Sequence, residues 1–115
     1  MTTAAAMSEA FAMADAAGIE RKKLYDVMSA GPLHSGMMDF VKAYAVDGDP
    51  NQLAFTLVNA KKDVGYYSAM AEQAGLPSIM SQSVRMALTL AVAGGYGDRH
   101  VPEILEFFQQ LSGKS

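Results

Sequence analysis

Apolar residues recur every three or four positions along most of the chain, and no segment alternates convincingly with the period of two that a half-buried strand needs. The clearest case is Asn59–Pro77, the stretch around which the chain reads as organised. Leu57, Ala60, Val64, Tyr67, Ala71 and Ala74 line up on one face of a helix, and Lys61, Lys62, Asp63, Glu72 and Gln73 fall largely outside that stripe. Gly75 is placed to stop the helix, and Pro77 forbids its resumption there.

The same pattern predicts about five further helices. Residues 3–17 are alanine-rich, with Ala4, Met7, Phe11 and Ala14 on one stripe and Gly18 as the stop. The chain enters this helix almost at once, which reads as a boundary lying inside a longer helix. A second helix is expected over Glu20–Ser29, with Leu24, Val27 and Met28 buried and Gly31-Pro32 ending it. Ser35 is placed to cap a third, through Tyr44, before the turn Asp47-Gly48-Asp49-Pro50. Gln52–Phe55 reads as an extended or loosely helical entry to the next helix. Ser78 should cap a fifth helix reaching Ala93, whose apolar character nearly all round predicts deep burial. After Gly94–Asp98, Pro102 suits the first turn of a last helix carrying Ile104, Leu105, Phe107, Phe108 and Leu111. The expected fold class is all-α, a single-domain bundle of about six helices joined by short loops.

Composition narrows the function. A chain of 115 residues, half apolar and 18% charged, makes one domain with a real core. A net charge of −3 gives no reason to expect a nucleic-acid partner. With no cysteine, disulfides, thiolate metal sites and cysteine nucleophiles are excluded, and an intracellular, cytoplasmic location is favoured. The start carries Glu9 and Asp15 and no basic region, unlike a signal peptide, and the apolar run Met86–Ala93 is too short to span a membrane. Nine methionines and many alanines suit close helix packing or a surface covered by another subunit.

Few residues carry candidate chemistry. Gly65 breaks the local rule, because glycine inside a helix costs roughly 1 kcal/mol relative to alanine. It lies three residues after Lys62, on nearly the same face, so a helix or a flat ligand could approach the backbone beside that lysine. Close helix packing beside a solvated lysine is the competing reading. Gly95-x-Gly97 ahead of a helix resembles a phosphate loop only partly, since no strand precedes it and His100 stands where a third glycine belongs. His34 and His100 lack partners at metal-ligand spacing, so no metal is expected, and no serine has a nucleophile-elbow context.

Several stretches taken together resemble the C-terminal helical domain of the β-hydroxyacid dehydrogenases, the group that includes 3-hydroxyisobutyrate dehydrogenase and tartronate semialdehyde reductase. They are MSEAFAMADAAGI, MSAGPLHSGMM, FTLVNAKKDVGYY, AEQAGLP and GGYGDRHVPEILEFF, in family order from end to end. The resemblance implies the helical fold of 6-phosphogluconate and 3-hydroxyisobutyrate dehydrogenases, with residues 1–115 as the C-terminal domain that lines the substrate cleft and mediates oligomerisation. It puts Lys62-Asp63 on the family's Lys-Asp pair. By the same resemblance Phe55, Lys62, Asp63 and Gly65 become cofactor- or substrate-binding residues, with Asp63 orienting the lysine or capping the helix start. The family's nucleotide-binding Rossmann domain, its principal catalytic lysine and the asparagine one turn later lie upstream of the matched region. No catalytic residue is therefore expected here; NAD or NADP belongs to the intact enzyme and is not expected to bind this chain tightly. Expected partners are a Rossmann domain of the same enzyme and further copies of the chain, as a homodimer or larger assembly. His100 replaces the family's usual acidic residue in the last loop, which removes the basis for a cofactor contact there. A free-standing helical module that dimerises through Met/Ala-rich faces, without catalysis, is the alternative.

Overall fold

Helix stops and starts follow the local chemistry closely. The computed structural model describes residues 1–113; the last two residues of the expected 1–115 domain lie outside them. Among the described residues six α-helices form: α1 Thr2–Ala16, α2 Arg21–Ser29, α3 Gly36–Ala45, α4 Leu57–Gln73, α5 Ile79–Ala91 and α6 Ile104–Leu111. Short 3-10 turns at Pro50–Leu53 and Val101–Glu103 precede α4 and α6, and a π turn at Val92–Tyr96 extends α5. The all-α expectation holds, with one isolated β-bridge, Thr56 to His100, in place of any sheet.

Helices α1 and α4 end in the same way. Gly18 and Gly75 both take φ +74°, and the amide after each reaches back to the third carbonyl from the helix end: Ile19 N to Ala14 O at 2.8 Å, Leu76 N to Ala71 O at 2.9 Å. Only glycine adopts that left-handed backbone without strain, which is why these two positions stop their helices so sharply. Ser35 caps α3 as expected, its hydroxyl accepting from Met38 N at 3.3 Å. Ser78 precedes α5 but makes no such bond, so that predicted cap is absent.

The bundle is centred on α1, not on α4. Helix α1 packs against α6, α3, α2 and α5, whereas α4 pairs chiefly with α5 as a hairpin at one side. Phe11, Val41, Leu57, Leu88, Ile104 and Leu105 are fully buried where these helices meet. The buried stripe of α4 is rotated from the expected one. Leu57, Ala60 and Ala71 are buried, Tyr67 and Ala74 face out, and Ser68 is buried in their stead. Ser68 is accommodated because its hydroxyl lies 3.3 Å from that of buried Ser81 on α5, so neither polar group is left unpaired.

Three other burial expectations fail. Val27 is 76% exposed, because α2 buries no residue fully and is held largely by its ends. Leu111 faces solvent at the end of α6. Helix α5 buries only Ser81, Val84, Leu88 and Ala91; Ile79, Met80, Met86 and Leu90 lie on the outside.

A polar joint ties the ends of four helices. Asp15 at the end of α1 accepts from Arg21 of α2 at 2.7 Å and from Gln109 of α6 at 2.7 Å, while Arg21 also donates to the Ala45 carbonyl of α3 at 2.8 Å. The Arg21 guanidinium, by hydrogen bonding, holds the Asp15 carboxyl below the ordinary carboxylate value; partial burial opposes this, and Gln109 adds to it. A carboxyl depressed in the folded state contributes stability that is present above its unfolded value and lost as pH falls through the folded one. Asp15→Asn should therefore lower the unfolding free energy by about 2 kcal/mol at neutral pH. In urea melts across pH, that gap should persist down to about pH 4 and close below it.

Candidate functional site

The residues singled out for binding cluster around the amino-terminal half of α4, which is fastened to the last loop of the chain. Thr56 is the N-cap: its hydroxyl accepts from Asn59 N at 3.4 Å and its carbonyl from Ala60 N at 2.9 Å. The two remaining amides of the first turn go to loop carbonyls, Leu57 N to Arg99 O at 2.9 Å and Val58 N to Gly97 O at 3.0 Å. Val101 N donates in return to Phe55 O at 2.8 Å, and the His100 ring Nδ1 lies 3.1 Å from Pro50 O. All four orphan amides of the helix start are thus satisfied within the chain. An anion could not be held there by backbone N–H groups, as it is at an open helix start.

This accounts for the glycine-rich loop as well. Gly95 takes φ +95°, which lets the chain turn back after α5. Tyr96 is then buried against Phe107, with Arg99 stacked 4.7 Å from its ring centre. Arg99 in turn pairs with Glu106, which also accepts from the Tyr44 hydroxyl. Burial and the Glu106 carboxylate push the Tyr44 hydroxyl far above its ordinary pKa, so it remains a donor. The loop presents carbonyl oxygens to α4, so Gly95-x-Gly97 is an interhelical connection and His100 is one of its fastenings.

Beyond that fastened turn the side chains spread out. Lys62 and Asp63 are exposed and Lys61 is half-buried; among the described residues none of the three has an ion pair. Successive residues on a helix point about 100° apart. Lys62 accordingly shares its flank with Val58, Gly65 and Ala69, while Asp63 looks the other way. Asp63 borders a cleft of about 320 Å³ with Met1 and Thr2 of α1, Tyr67 of α4 and Met80 of α5. The idea that Asp63 orients Lys62 or caps the helix is therefore not met: Thr56 is the cap, and the two charges do not touch. Phe55 is half-buried against the core, and its backbone forms part of the fastening.

Gly65 is the most informative position. A Cβ built there meets nothing within 4 Å, whereas one at Gly97 would touch Val92 and Val58, and one at Gly94 would touch Tyr96 and Phe107. Close packing of a neighbouring helix, one of the two readings of this glycine, is absent among the described residues. The space beside Lys62 is open. Sequence reasoning missed the clamp itself; Thr56, three residues before Asn59, was its one local signal, whereas the loop carbonyls leave no mark in composition.

Comparison with known proteins is decisive at the level of family. Residues 1–108 match a family described as the NAD-binding domain of NADP-dependent 3-hydroxyisobutyrate dehydrogenase. The chain belongs to this family. It is 28% identical over 108 residues to an L-threonate dehydrogenase from Haemophilus influenzae, covering 94% of this chain and 36% of that protein. It also superposes with a TM-score of 0.81 on the crystal structure of a 3-hydroxyisobutyrate dehydrogenase from Salmonella typhimurium, at 25% identity, over 92% of this chain and 37% of that one. The chain therefore spans little more than a third of the length of these relatives. Membership of this NAD(P)-dependent dehydrogenase family supports the β-hydroxyacid dehydrogenase resemblance and the helical-domain fold. Among the described residues no helix is long and apolar enough to cross a membrane, and no group of three His, Asp or Glu side chains is gathered as a metal would need.

Since nothing within the domain needs the gap at Gly65, filling it with a methyl should help the isolated fold. Gly65→Ala is expected to stabilise the 115-residue chain by about 0.5–1 kcal/mol through helix propensity alone. Chemical denaturation checks this; a loss of stability would mean that the backbone at Gly65 is contacted within the domain.

Proposed function

We propose that this chain is the C-terminal helical domain of an NAD(P)-dependent, 3-hydroxyisobutyrate dehydrogenase-like oxidoreductase. In that role it contributes one wall of the substrate cleft and subunit contacts, and it is inactive alone. The observation that carries the reading is an exposed, unpaired Lys62 beside a glycine whose missing side chain leaves open space. A long cationic side chain on such a flank suits a small carboxylate substrate or an anionic cofactor, which it would hold as a point charge. Because the backbone amides at the start of α4 are all engaged, that attraction falls to the side chains.

The nicotinamide, when bound, accepts hydride from the carbinol carbon of a small 3-hydroxy acid. This chain's residues would hold the substrate or cofactor in place: Lys62 against the negative charge, Gly65 by leaving room, and Phe55 as part of the apolar support below. Asp63, on the other flank, borders the amino end of α1. A connecting helix leading into α1 would pass beside Asp63 and Tyr67, the side from which the upstream lysine of the resemblance would approach. The exposed apolar stripe of α5 favours a second reading, a helical dimerisation module without catalysis.

A chimera tests the proposal. The 108 matched residues of the Haemophilus L-threonate dehydrogenase would be replaced by this chain, and NAD(H) binding and turnover measured. A folded chimera should bind the cofactor and oxidise its substrate. Lys62→Ala in it should reduce kcat/KM roughly ten- to a hundredfold, the loss of one charge-assisted hydrogen bond. A folded chimera that binds no cofactor contradicts the dehydrogenase reading; one that is active yet indifferent to Lys62 contradicts the role of that side chain.

A further inference from the structure

Helix α5 carries an apolar ridge on its outer side. Ile79, Ser83, Met86 and Leu90 follow at intervals of four, three and four residues, which sets them in one line opposite the buried Val84, Leu88 and Ala91. Ile79 is 72% exposed, Met86 60% and Leu90 47%. Alongside runs a groove of about 460 Å³ between α5, α1 and α6. Helix α1 contributes the small residues Ala5 and Ala6 to it, and α6 contributes Phe108 and Leu111. A ridge of long side chains thus lies next to a groove lined by small and apolar ones on the same face of the molecule.

We propose that this face joins two copies of the chain, the α5 ridge of each seated in the α1/α6 groove of the other. Two features single out a second copy as the occupant. The ridge and the groove it would fill adjoin, as a two-fold interface requires of a self-complementary patch. The charges are complementary too: Glu9 borders the groove, Arg85 flanks the ridge, and among the described residues neither side chain has an ion pair. Ridge-into-groove seating on both sides requires the two-fold axis to run along α5. That geometry turns the Gln82–Arg85–Thr89 flank of one copy toward the far wall of the partner's groove, where Glu9 lies. Methionine suits such a ridge, because its flexible thioether fills irregular gaps. The inference goes beyond the cleft reading and stands without it, since it concerns α5 and needs neither Lys62 nor a cofactor.

Sedimentation equilibrium of the 115-residue chain, with no nucleotide present, tests it. A dimer is expected. Met86→Glu should yield a monomer of unchanged helix content by circular dichroism. Glu9→Arg and Arg85→Glu should each weaken the dimer roughly tenfold, since two rim pairs are lost at once. The double variant Glu9→Arg/Arg85→Glu should recover the original affinity. A chain that stays monomeric at its highest soluble concentration overturns the proposal and leaves the face to another part of a longer protein. A dimer indifferent to Met86→Glu, or reversals that do not rescue one another, overturns it as well.

Discussion

The hydrogen bonds that fasten the start of α4 to residues 97–101 are the constraint on which the rest of this surface depends. Arg99 O and Gly97 O accept from the first two amides of α4, Thr56 serves the next two, and Phe55 returns one bond to Val101. These bonds fix the rotation of α4 about its own axis. Rotation decides everything that follows along the helix: Leu57 and Ala60 turn into the core, Lys62 and Gly65 turn outward together, and Asp63 is carried round toward α1. The same bonds use up the partial positive charge of the helix start. Anion recognition on this domain is thereby moved from a fixed dipole to a mobile ammonium group, which suits a contact made only when a second domain closes over it.

Much of the fold was legible in the sequence because its causes are local. Gly18 and Gly75 stop helices through their own backbone freedom, Ser35 caps through a bond three residues away, and Pro102 enters a first turn where no amide is required. What was not legible depends on neighbours distant in the chain. Ser68 reads as a surface residue until Ser81 is brought opposite it. Tyr67 falls on the apolar stripe by spacing, yet it lies outside the α4–α5 contact once the clamp has set the rotation of the helix. Helix α5 has the composition of a buried helix, but a bundle of this size covers only one of its sides. The candidate site was legible in its members, Lys62, Asp63, Gly65 and Phe55, only through family likeness. Their divergence around α4 follows from geometry, but which flank faces open space does not.

Two surfaces then divide the outside of the domain. One is the Lys62–Gly65 flank of α4, cationic and notched; the other is the uncharged ridge and groove of α5, α1 and α6. Each leaves a cost unexplained by the domain alone. An interior glycine lowers helix stability, and exposed methionine, leucine and isoleucine side chains forgo burial. Both costs are consistent with a domain shaped to be covered on two sides, as expected of a segment that matches little more than a third of its relatives' length. The Asp15–Arg21–Gln109 joint sits apart from both surfaces in function, holding four helix ends together so that each can be presented on a stable frame.

The central claim is that Lys62, and not the backbone at the start of α4, meets the anionic ligand. Acetylation footprinting of the lysines measures this most directly, in a protein that joins this chain to a nucleotide-binding half, with and without NADPH. The account predicts that Lys62 is protected when cofactor and substrate are present, while Lys22 and Lys23 on α2 react unchanged. Equal labelling of Lys62 in the two states would contradict it.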